Sequence, residues 1–533
     1  MNAFTGTAPL MRLILRRDRF VLPAWVLALA IIPVGYGSSF AGLFTTDAAR
    51  QAYYEGTLHS PAQLALLGPI FDSTLGALTA WRSGFMFVLI GLASLFTVIR
   101  HTRSEEEAGR RELLGATVIG RQAPLAAALA VTCAANLVLG AVAAVGLVGL
   151  DLPVAGSVAL GLALASVGCV FTAVGGVVAQ VTEGARSARG LGVAVLAGAF
   201  VLRAAGDAGG VNGSLSWLSW LSPVGWAQQI RPFAGERWWL LGFTVVAGIG
   251  LSYAGFALSG RRDLGAGLLP TRLGPETARP SLRSPVALAW RLHRGVLLSW
   301  VVGFAVGGLV LGAIAQTIGE QFNGSQQLLD LLQRLGSRSG IVDAYLATVM
   351  SIVGLAASGY AISATLRLRA EEEALRAEPV LATSVGRLAW AGSHLVFGLL
   401  GPAVLLVTAG LWAGLAHGVG SGDLPRELPR VLAAALVQLP AVWVLAGLAT
   451  ALFGLAPRLT YLTWAALGTF LLLGQVGGLL QLDQRALDLS PFTHLPRVPG
   501  GDIPVTPVAW LVLVAMALTA AGLAGLRRRD LAS

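Results

Sequence analysis

Carboxylates and guanidinium groups, the side chains that can form strong ion pairs or a charged docking surface, are concentrated in two short segments. Residues 103–121 read RSEEEAGRRELLGATVIGR, and residues 369–387 read RAEEEALRAEPVLATSVGR. The two segments align without a gap at an offset of 266 residues, and 11 of their 19 positions are identical. Because only 12% of the chain is charged, this match predicts an internal duplication in which each copy carries the same charged surface.

The remaining residue types exclude several kinds of chemistry. All 37 lysine and arginine positions are arginine, so the chain has neither the lysine of a GxxxxGK[ST] phosphate-binding loop nor a Schiff-base lysine. The six histidines lack the spacing of a zinc site, and Cys133 and Cys169 lie in apolar runs typical of structural thiols. We therefore expect no catalytic residue, no metal site and no cofactor in this chain.

The apolar runs that separate these charged segments predict the fold class. Hydrophobic residues make up 55% of the chain, and its mean hydropathy is +0.73. A helix needs about 20 apolar residues to cross a bilayer core of about 30 Å. On this rule we predict an all-α polytopic membrane protein with twelve transmembrane helices, at residues 21–43, 83–99, 123–149, 155–181, 188–205, 238–258, 297–317, 345–366, 389–416, 430–454, 459–481 and 506–526.

The duplication extends beyond the charged segments. Residues 221–223 and 489–491 both read Leu-Ser-Pro, at an offset of 268, ahead of the last span of each half. Since each half has an even number of spans, the two copies face the same way across the membrane. We predict two tandem, parallel six-helix repeats, residues 1–264 and 286–533, joined by a cytoplasmic linker at residues 265–285.

Arginine placement predicts the orientation. If the N-terminus is cytoplasmic, 26 of the 37 arginines fall in cytoplasmic segments and 11 in the outer segments and span ends. Cytoplasmic loops are enriched in basic residues. We therefore expect a multi-pass protein of the cytoplasmic membrane with both termini in the cytoplasm. This orientation also places both charged segments in the cytoplasm.

Each charged segment is predicted to form one short surface helix. The plain interpretation is a solvated helix with weak ion pairs, whereas repetition at the same topological point favours paired docking surfaces for a twofold-symmetric cytoplasmic partner. Pro379 in the second copy, where the first has Leu113, is expected to end or kink that helix early. Helical spacing predicts three i,i+4 pairs: Glu106–Arg110, Glu107–Arg111 and Glu372–Arg376.

The form EE-x-x-x-x-E followed by A-x-x-x-x-R resembles the coupling-helix region of ABC-2 type permeases, the membrane halves of ABC exporters. In length, span number and duplication, the whole chain resembles the fused permeases of actinobacterial polyketide-antibiotic exporters of the tetronasin-resistance type. The resemblance implies a type V exporter-like fold and a high-GC actinobacterial source. It also implies export of hydrophobic or amphipathic compounds such as polyketide-like antibiotics.

The resemblance further implies a homodimeric nucleotide-binding ATPase subunit, a separate chain that carries ATP and Mg and docks on the cytoplasmic face. Other expected partners are the lipid bilayer and a hydrophobic small-molecule substrate, with no nucleic acid. Four apolar side chains are candidates for a substrate pathway, although lipid-facing or packing roles are equally open to them: Phe85, Met86, Phe96 and Met350. The positions that match the coupling motif are Glu105, Glu106, Glu107, Glu112, Arg121, Glu371, Glu372, Glu373, Glu378 and Arg387.

Three other classes of membrane protein remain open from the residues alone. An ion-coupled secondary transporter needs ionisable residues inside the spans. Such residues are nearly absent from the predicted spans, and the main exception is Arg203 with Asp207, which we expect at the membrane interface. A membrane-embedded enzyme needs a cluster of His, Asp or Glu at one face. A non-transporting drug-immunity protein needs neither feature.

Overall fold

The computed structural model describes residues 2–58, 60–115, 117–210, 213–263, 265–268, 276–277, 280–322, 340–476, 483–496, 498–499 and 505–530. Within these ranges all regular structure is helical and there is no β-strand. The chain divides into two compact units, Met1–Gly274 and Pro275–Ser533. The division falls within the predicted linker 265–285, much of which lies outside the described ranges.

The first unit contains thirteen α-helices in its described residues. They are α1 (Thr7–Arg17), α2 (Val21–Leu43), α3 (Asp47–Leu58), α4 (Pro61–Leu67), α5 (Leu75–Arg82), α6 (Met86–His101), α7 (Arg103–Glu107), α8 (Arg110–Gly115), α9 (Ala123–Val148), α10 (Val154–Val181), α11 (Ala185–Asp207), α12 (Pro223–Gln228) and α13 (Trp239–Gly260). Short 3-10 helices occupy Ser83–Phe85 and Ser216–Leu221.

The second unit contains ten α-helices in its described residues. They are α14 (Pro285–Phe322), α15 (Ile341–Thr365), α16 (Arg367–Glu373), α17 (Ala377–Leu381), α18 (Arg387–Ser421), α19 (Leu424–Leu436), α20 (Leu439–Leu455), α21 (Leu462–Val476), α22 (Gln484–Leu487) and α23 (Val505–Arg528). Further 3-10 helices occupy Pro280–Leu282, Pro457–Leu459 and Pro491–His494.

Eleven helical segments of the described chain are long and apolar enough to cross a membrane, which confirms the prediction of an all-α polytopic membrane protein. The exception among the twelve predicted spans is 459–481, because α21 is described over 15 residues and residues 477–482 lie outside the described ranges. The second span begins earlier than predicted: helix runs from Leu75 to Glu107 through the 3-10 turn at Ser83–Phe85.

The first unit is organised around α10, of which 72% of the apolar window is buried. Helix α9 crosses it closely at two glycines. A Cβ at Gly140 would overlap the carbonyl oxygen of Gly161, and a Cβ at Gly161 would overlap that of Gly140. Small residues at such crossings let helix backbones approach in a bilayer, where there is little hydrophobic force between helices.

Close helix crossings at glycines also occur in the second unit, between other pairs of helices. Helix α14 packs on α18, where a Cβ at Gly312 would overlap the carbonyl oxygen of Ala413. Helices α20 and α23 meet at Gly454 and Gly522, where a Cβ would overlap the facing backbone. These contacts leave α16 and α17 at the end of the unit where α15 ends and α18 begins.

Short helices close the far end of the first unit, opposite α7 and α8. Gln228 at the end of α12 donates a hydrogen bond from Nε2 to the carbonyl oxygen of Leu67 at 2.8 Å. The indole nitrogen of Trp81 donates to Gly68 at 2.9 Å. The segment after α4 is therefore held against both α5 and α12.

Candidate functional site

Each charged segment forms two short helices separated by a left-handed turn, rather than the single helix predicted. In the first unit Gly109 between α7 and α8 has φ 69°, and in the second unit Leu375 between α16 and α17 has φ 55°. These two residues are aligned in the repeat, so both copies bend at the same place. Glycine adopts this conformation without strain, whereas leucine does so at a cost.

The turn changes the ion pairs within each segment. Arg110 Nε lies 2.7 Å from Glu105 Oε2, and Arg376 Nε lies 3.2 Å from Glu371 Oε2. Both pairs are spaced i,i+5, as is the pair between Arg111 and Glu106. The predicted i,i+4 pairs are wrong, because the left-handed residue interrupts the helical spacing on which they relied.

The prediction that Pro379 ends the second segment early is also wrong. Helix α17 runs from Ala377 to Leu381, and it ends at the position equivalent to Gly115, the last residue of α8. Pro379 lies in the first turn of α17, where a missing N–H leaves no helical hydrogen bond unmade. The break that precedes it is at Leu375, and the first copy has the same break.

Glu106 is the centre of a buried ion-pair cluster in the first unit. Its side chain is 2% exposed and pairs with Arg103 and Arg111. Arg262, just beyond α13, places Nη2 at 2.8 Å from Glu106 Oε1 and donates from Nε to Gln180 Oε1 at 2.7 Å. The acidic segment is thereby tied to the ends of α10 and α13.

Positive charge exceeds negative charge in this cluster. Burial, together with repulsion from Arg262, Arg103 and Arg121, lowers the pKa of Arg111 to about 10. Burial also lowers the pKa of Arg262. The guanidinium groups remain charged at neutral pH, so Glu106 is the carboxylate on which three of them converge.

Glu372 occupies the equivalent place in the second unit. It is 6% exposed, and Arg529, just beyond α23, forms a bidentate pair with its two carboxylate oxygens at 2.7 and 2.6 Å. The Arg529 guanidinium also lies 4.8 Å from the centre of the Phe453 ring. The middle glutamate of each EEE segment therefore binds the arginine that follows the last span of its own unit.

The arginine that ends each charged segment reinforces this anchor. Arg121 donates a hydrogen bond to the carbonyl oxygen of Arg262. Arg387 donates to the carbonyl oxygen of Arg529 at 2.7 Å. We call the triads Glu106–Arg262–Arg121 and Glu372–Arg529–Arg387 the anchor triads of the two units.

The anchoring role of Arg262 and Arg529 was not predicted from the sequence, although a signal for it was present. Residues 261–264 and 528–531 both read Arg-Arg-Asp-Leu, at an offset of 267 that matches the rest of the duplication. This repeated tetrapeptide lies at the end of the last span in both units. Its meaning depends on the packing that brings Arg262 and Arg529 to the acidic segments.

The outer glutamates of the first segment connect it to other helices. Glu105 pairs with Arg17 at the end of the amphipathic helix α1. Glu107 Oε2 accepts a hydrogen bond from the backbone N–H of Ala185, the first residue of α11, at 3.0 Å. A carboxylate at this point satisfies an orphan donor and interacts favourably with the helix dipole.

The second segment makes partly different contacts. Glu371, which is 7% exposed, pairs with Arg367 at 3.3 Å as well as with Arg376. Glu373 pairs with Arg369, whose Nη1 donates to Thr460 Oγ1 at 3.0 Å. The two anchor triads are alike, and the flanking contacts are not.

The predicted coupling residues therefore fall into three groups by burial. Buried glutamates hold the segments in place: Glu106, Glu371 and Glu372. Glu105 and Arg387 are half-buried, and the side chains that reach the surface of their units are Glu107, Glu112, Arg121, Glu373 and Glu378. A docking partner would meet this exposed group.

The four candidate pathway residues are not equivalent. Met86 is 4% exposed in the core of the first unit, and Met350 is fully buried in the core of the second. Phe85 and Phe96 are exposed on the first unit, and Phe85 packs edge-on against Phe200. Both methionines pack in the core of their units in this conformation.

The ion pair of Arg203 and Asp207 is buried inside the first unit. The two residues are 0% and 4% exposed, with Arg203 Nη1 at 3.5 Å from Asp207 Oδ2. Ser219 donates to Asp207, and Arg203 Nη2 donates to the carbonyl oxygen of Leu66 at 3.0 Å. The pair thus joins α11 to the short elements at the far end.

These features define a polytopic membrane protein built from two helical units that carry matched, internally anchored charged segments. Among the described residues, no group of three or more His, Cys, Asp or Glu side chains is placed to hold a metal ion. Residues 282–527 match a family model described as the C-terminal domain of the multidrug efflux system permease Rv1217c.

The whole chain is similar to a protein of the same description. It is 45% identical over 530 residues to the multidrug efflux system permease protein Rv1217c of Mycobacterium tuberculosis, an alignment that covers 99% of this chain and 96% of the relative. The chain therefore belongs to this family of multidrug efflux permeases. It is a permease component of a transport system and not an enzyme.

Proposed function

We propose that this chain is the membrane subunit of an ATP-driven exporter of the ABC-2 type. In this proposal a separate homodimeric ATPase docks on the two charged segments and energises export of hydrophobic or amphipathic compounds. The observation that carries the proposal is the anchor triad, which occurs in both units at the same place relative to the spans. A surface helix with no task beyond solvation has no need of a buried connection to the last span.

The anchor triads suggest how a partner's movement reaches the spans. A partner that contacts exposed Glu112 or Glu378 pushes on a segment whose middle glutamate is bound to Arg262 or Arg529. Because a buried ion pair resists separation, displacement of the segment carries the end of the last span with it. The same displacement pulls on α1 through Glu105 and Arg17.

The absence of lysine bears on where ATP binds: without a phosphate-binding loop in this chain, ATP and Mg are held by the partner. Arginine placement supports the orientation, in which both charged segments and both termini face the cytoplasm. The two equivalent segments suit a partner with twofold symmetry, and their different flanking pairs give the two docking sites unequal strength.

Co-purification with the product of any adjacent ATPase gene tests the proposal. The variant carrying Glu112→Arg and Glu378→Arg reverses one exposed charge in each segment and leaves both anchor triads intact. We expect it to lose most of the bound ATPase and most of the drug-stimulated ATP hydrolysis. Glu55→Arg reverses an exposed charge at the far end of the first unit and should leave both unchanged.

Two results would overturn the proposal. One is the recovery of an undiminished ATPase complex with the double variant. The other is export of a hydrophobic fluorescent compound by the chain alone in proteoliposomes with an ion gradient and no ATP, which would identify a secondary transporter.

A further inference from the structure

A pocket opens on the side of the first unit between α9, α10 and α13. Its volume is about 510 Å³, within the range of about 300–1,000 Å³ that is usual for small-molecule sites. Its lining is apolar apart from hydroxyl, phenol and thiol groups, and it contains no charged side chain. Both cysteines of the chain line it, so we call it the thiol pocket; its polar lining is Cys133, Ser166, Cys169, Thr244, Ser252 and Tyr253.

The pocket exists because α13 contacts α10 near Gly255 and is separated from it near Gly248. A Cβ at Gly255 would lie 3.5 Å from the carbonyl carbon of Gly176 on α10, an ordinary contact. About two turns earlier, a Cβ at Gly248 would meet no atom within 4 Å. The gap around Gly248 is the space that a ligand can enter.

The second unit closes the corresponding gap. There the last span, α23, packs on α20, and a Cβ at Gly447 would lie 2.8 Å from the carbonyl oxygen of Ala515. At the offset of 267 that relates the two Arg-Arg-Asp-Leu motifs, Ala515 is the equivalent of Gly248. The pocket therefore distinguishes the first unit from the second at equivalent positions of the duplication.

The hydrogen bonds already made inside the pocket define what a ligand must offer. Ser166 Oγ donates to the carbonyl oxygen of Ala163 at 2.8 Å, and Thr244 Oγ1 donates to that of Leu241 at 2.9 Å. Ser166 and Thr244 each donate their hydroxyl proton to their own helix and present lone pairs to the pocket. A matching ligand is neutral and apolar with at least one N–H or O–H donor, a feature that a lipid acyl chain lacks.

We propose that the thiol pocket binds a neutral hydrophobic compound that carries a hydrogen-bond donor. Such a compound enters from the bilayer, because the opening is flanked by exposed Leu137, Val245 and Ile249. This proposal rests on the proposed export function in one respect: it treats the bound compound as a substrate that is exported. Binding itself requires neither the ATPase nor ATP.

Equilibrium binding of 1-aminopyrene to the full chain in lipid nanodiscs tests the proposal. Energy transfer from tryptophan reports the bound fraction, with empty nanodiscs correcting for partition into lipid. Gly248→Leu should fill the gap and weaken binding about tenfold. Gly250→Leu is the matched control, since it lies on the same helix, its Cβ also meets no atom within 4 Å, and it does not line the pocket.

Thiol protection locates the bound compound. Cys133 and Cys169 are the chain's two cysteines, so modification by N-ethylmaleimide reports on this pocket alone. The intact mass measures the modification, and the single variants Cys133→Ser and Cys169→Ser show which thiol reacts. Saturating 1-aminopyrene should slow the modification at least threefold. Pyrene, which has the same ring system and no donor, should bind several-fold more weakly than 1-aminopyrene.

Several outcomes would overturn the inference. They are the absence of saturable 1-aminopyrene binding, equal affinities of the Gly248→Leu and Gly250→Leu variants, and equal affinities for pyrene and 1-aminopyrene. Because these measurements contain no ATPase, they can fail while the docking experiment succeeds, or succeed while docking fails. The two proposals are therefore tested separately.

Discussion

Glu106 and Arg262 are 156 positions apart in the chain, and Arg262 Nη2 lies 2.8 Å from Glu106 Oε1. Glu372 and Arg529, 157 positions apart, form the equivalent pair in the second unit. Each pair joins the middle glutamate of an EEE segment to the first residues beyond the last span. The same connection in two units of one chain makes the charged segments part of the helical framework rather than surface attachments.

Removal of the Glu106 charge should destabilise the first unit. In Glu106→Gln the guanidinium groups of Arg103, Arg111 and Arg262 lose their shared carboxylate in a buried setting. Leaving buried charges without a partner costs about 3–5 kcal/mol, so we expect a marked fall in the midpoint of thermal unfolding in detergent. Glu112→Gln changes an exposed residue of the same segment and should leave the midpoint within about 1 °C of the wild type.

The geometry of the second anchor can be tested by keeping its charge. Arg529→Lys retains the positive charge but cannot reproduce two parallel hydrogen bonds to Glu372 or the contact with the Phe453 ring. We expect a loss of about 1–2 kcal/mol in the free energy of unfolding. Arg528→Lys, at the exposed neighbouring position, is the matched control. Equal effects of the two substitutions would contradict the bidentate pair.

The left-handed turns should respond in opposite directions to exchange of their residues. Gly109→Ala forces a Cβ into the left-handed region, and since a Cβ there would meet no atom within 4 Å, its whole cost of about 1 kcal/mol comes from the backbone. Leu375→Gly removes that strain and should stabilise its segment or leave it unchanged. Hydrogen exchange of the amides in 103–115 and 367–381 measures both effects, and a gain in protection for Gly109→Ala would contradict the turn.

The buried pair in α11 should be more sensitive to the loss of one partner than of both. Arg203→Met leaves the Asp207 carboxylate without its cation, and Asp207→Leu leaves the Arg203 guanidinium without its anion. The double variant leaves neither charge in the interior, and replacement of a buried ion pair by apolar residues is often tolerated. We expect each single variant to lower the yield of monodisperse protein severalfold. The double variant should recover most of that yield, and a double variant worse than either single one would contradict this account.

Local features of the sequence were sufficient for the fold class and for most of the spans. Span length is a property of a single run of residues, so 21–43, 123–149 and 155–181 agree with α2, α9 and α10 to within one or two residues. The second span was predicted eight residues too short at its start, because Arg82 interrupts the apolar run. In the structure Arg82 ends α5 and the helical path continues through it.

The two charged segments were also visible in the sequence, because a gapless match at an offset of 266 requires no knowledge of packing. The break at Gly109 was not foreseen, since the aligned Leu375 gives no hint of a left-handed turn. The burial of Met86 and Met350 was not foreseen either, and neither was the interior position of Arg203. Each of these depends on which helices come together, and helix contacts are not local.

The order of the residues is enough to predict an all-helical membrane protein, and it contains duplicated acidic segments and repeated Arg-Arg-Asp-Leu motifs. That the acidic segment binds the motif follows from helix packing. An ion pair forms where two charged groups come within about 4 Å, and for Glu106 and Arg262 that distance is set by the packing of α10 and α13. The residue types were present in the sequence, and the fold supplied the distance between them.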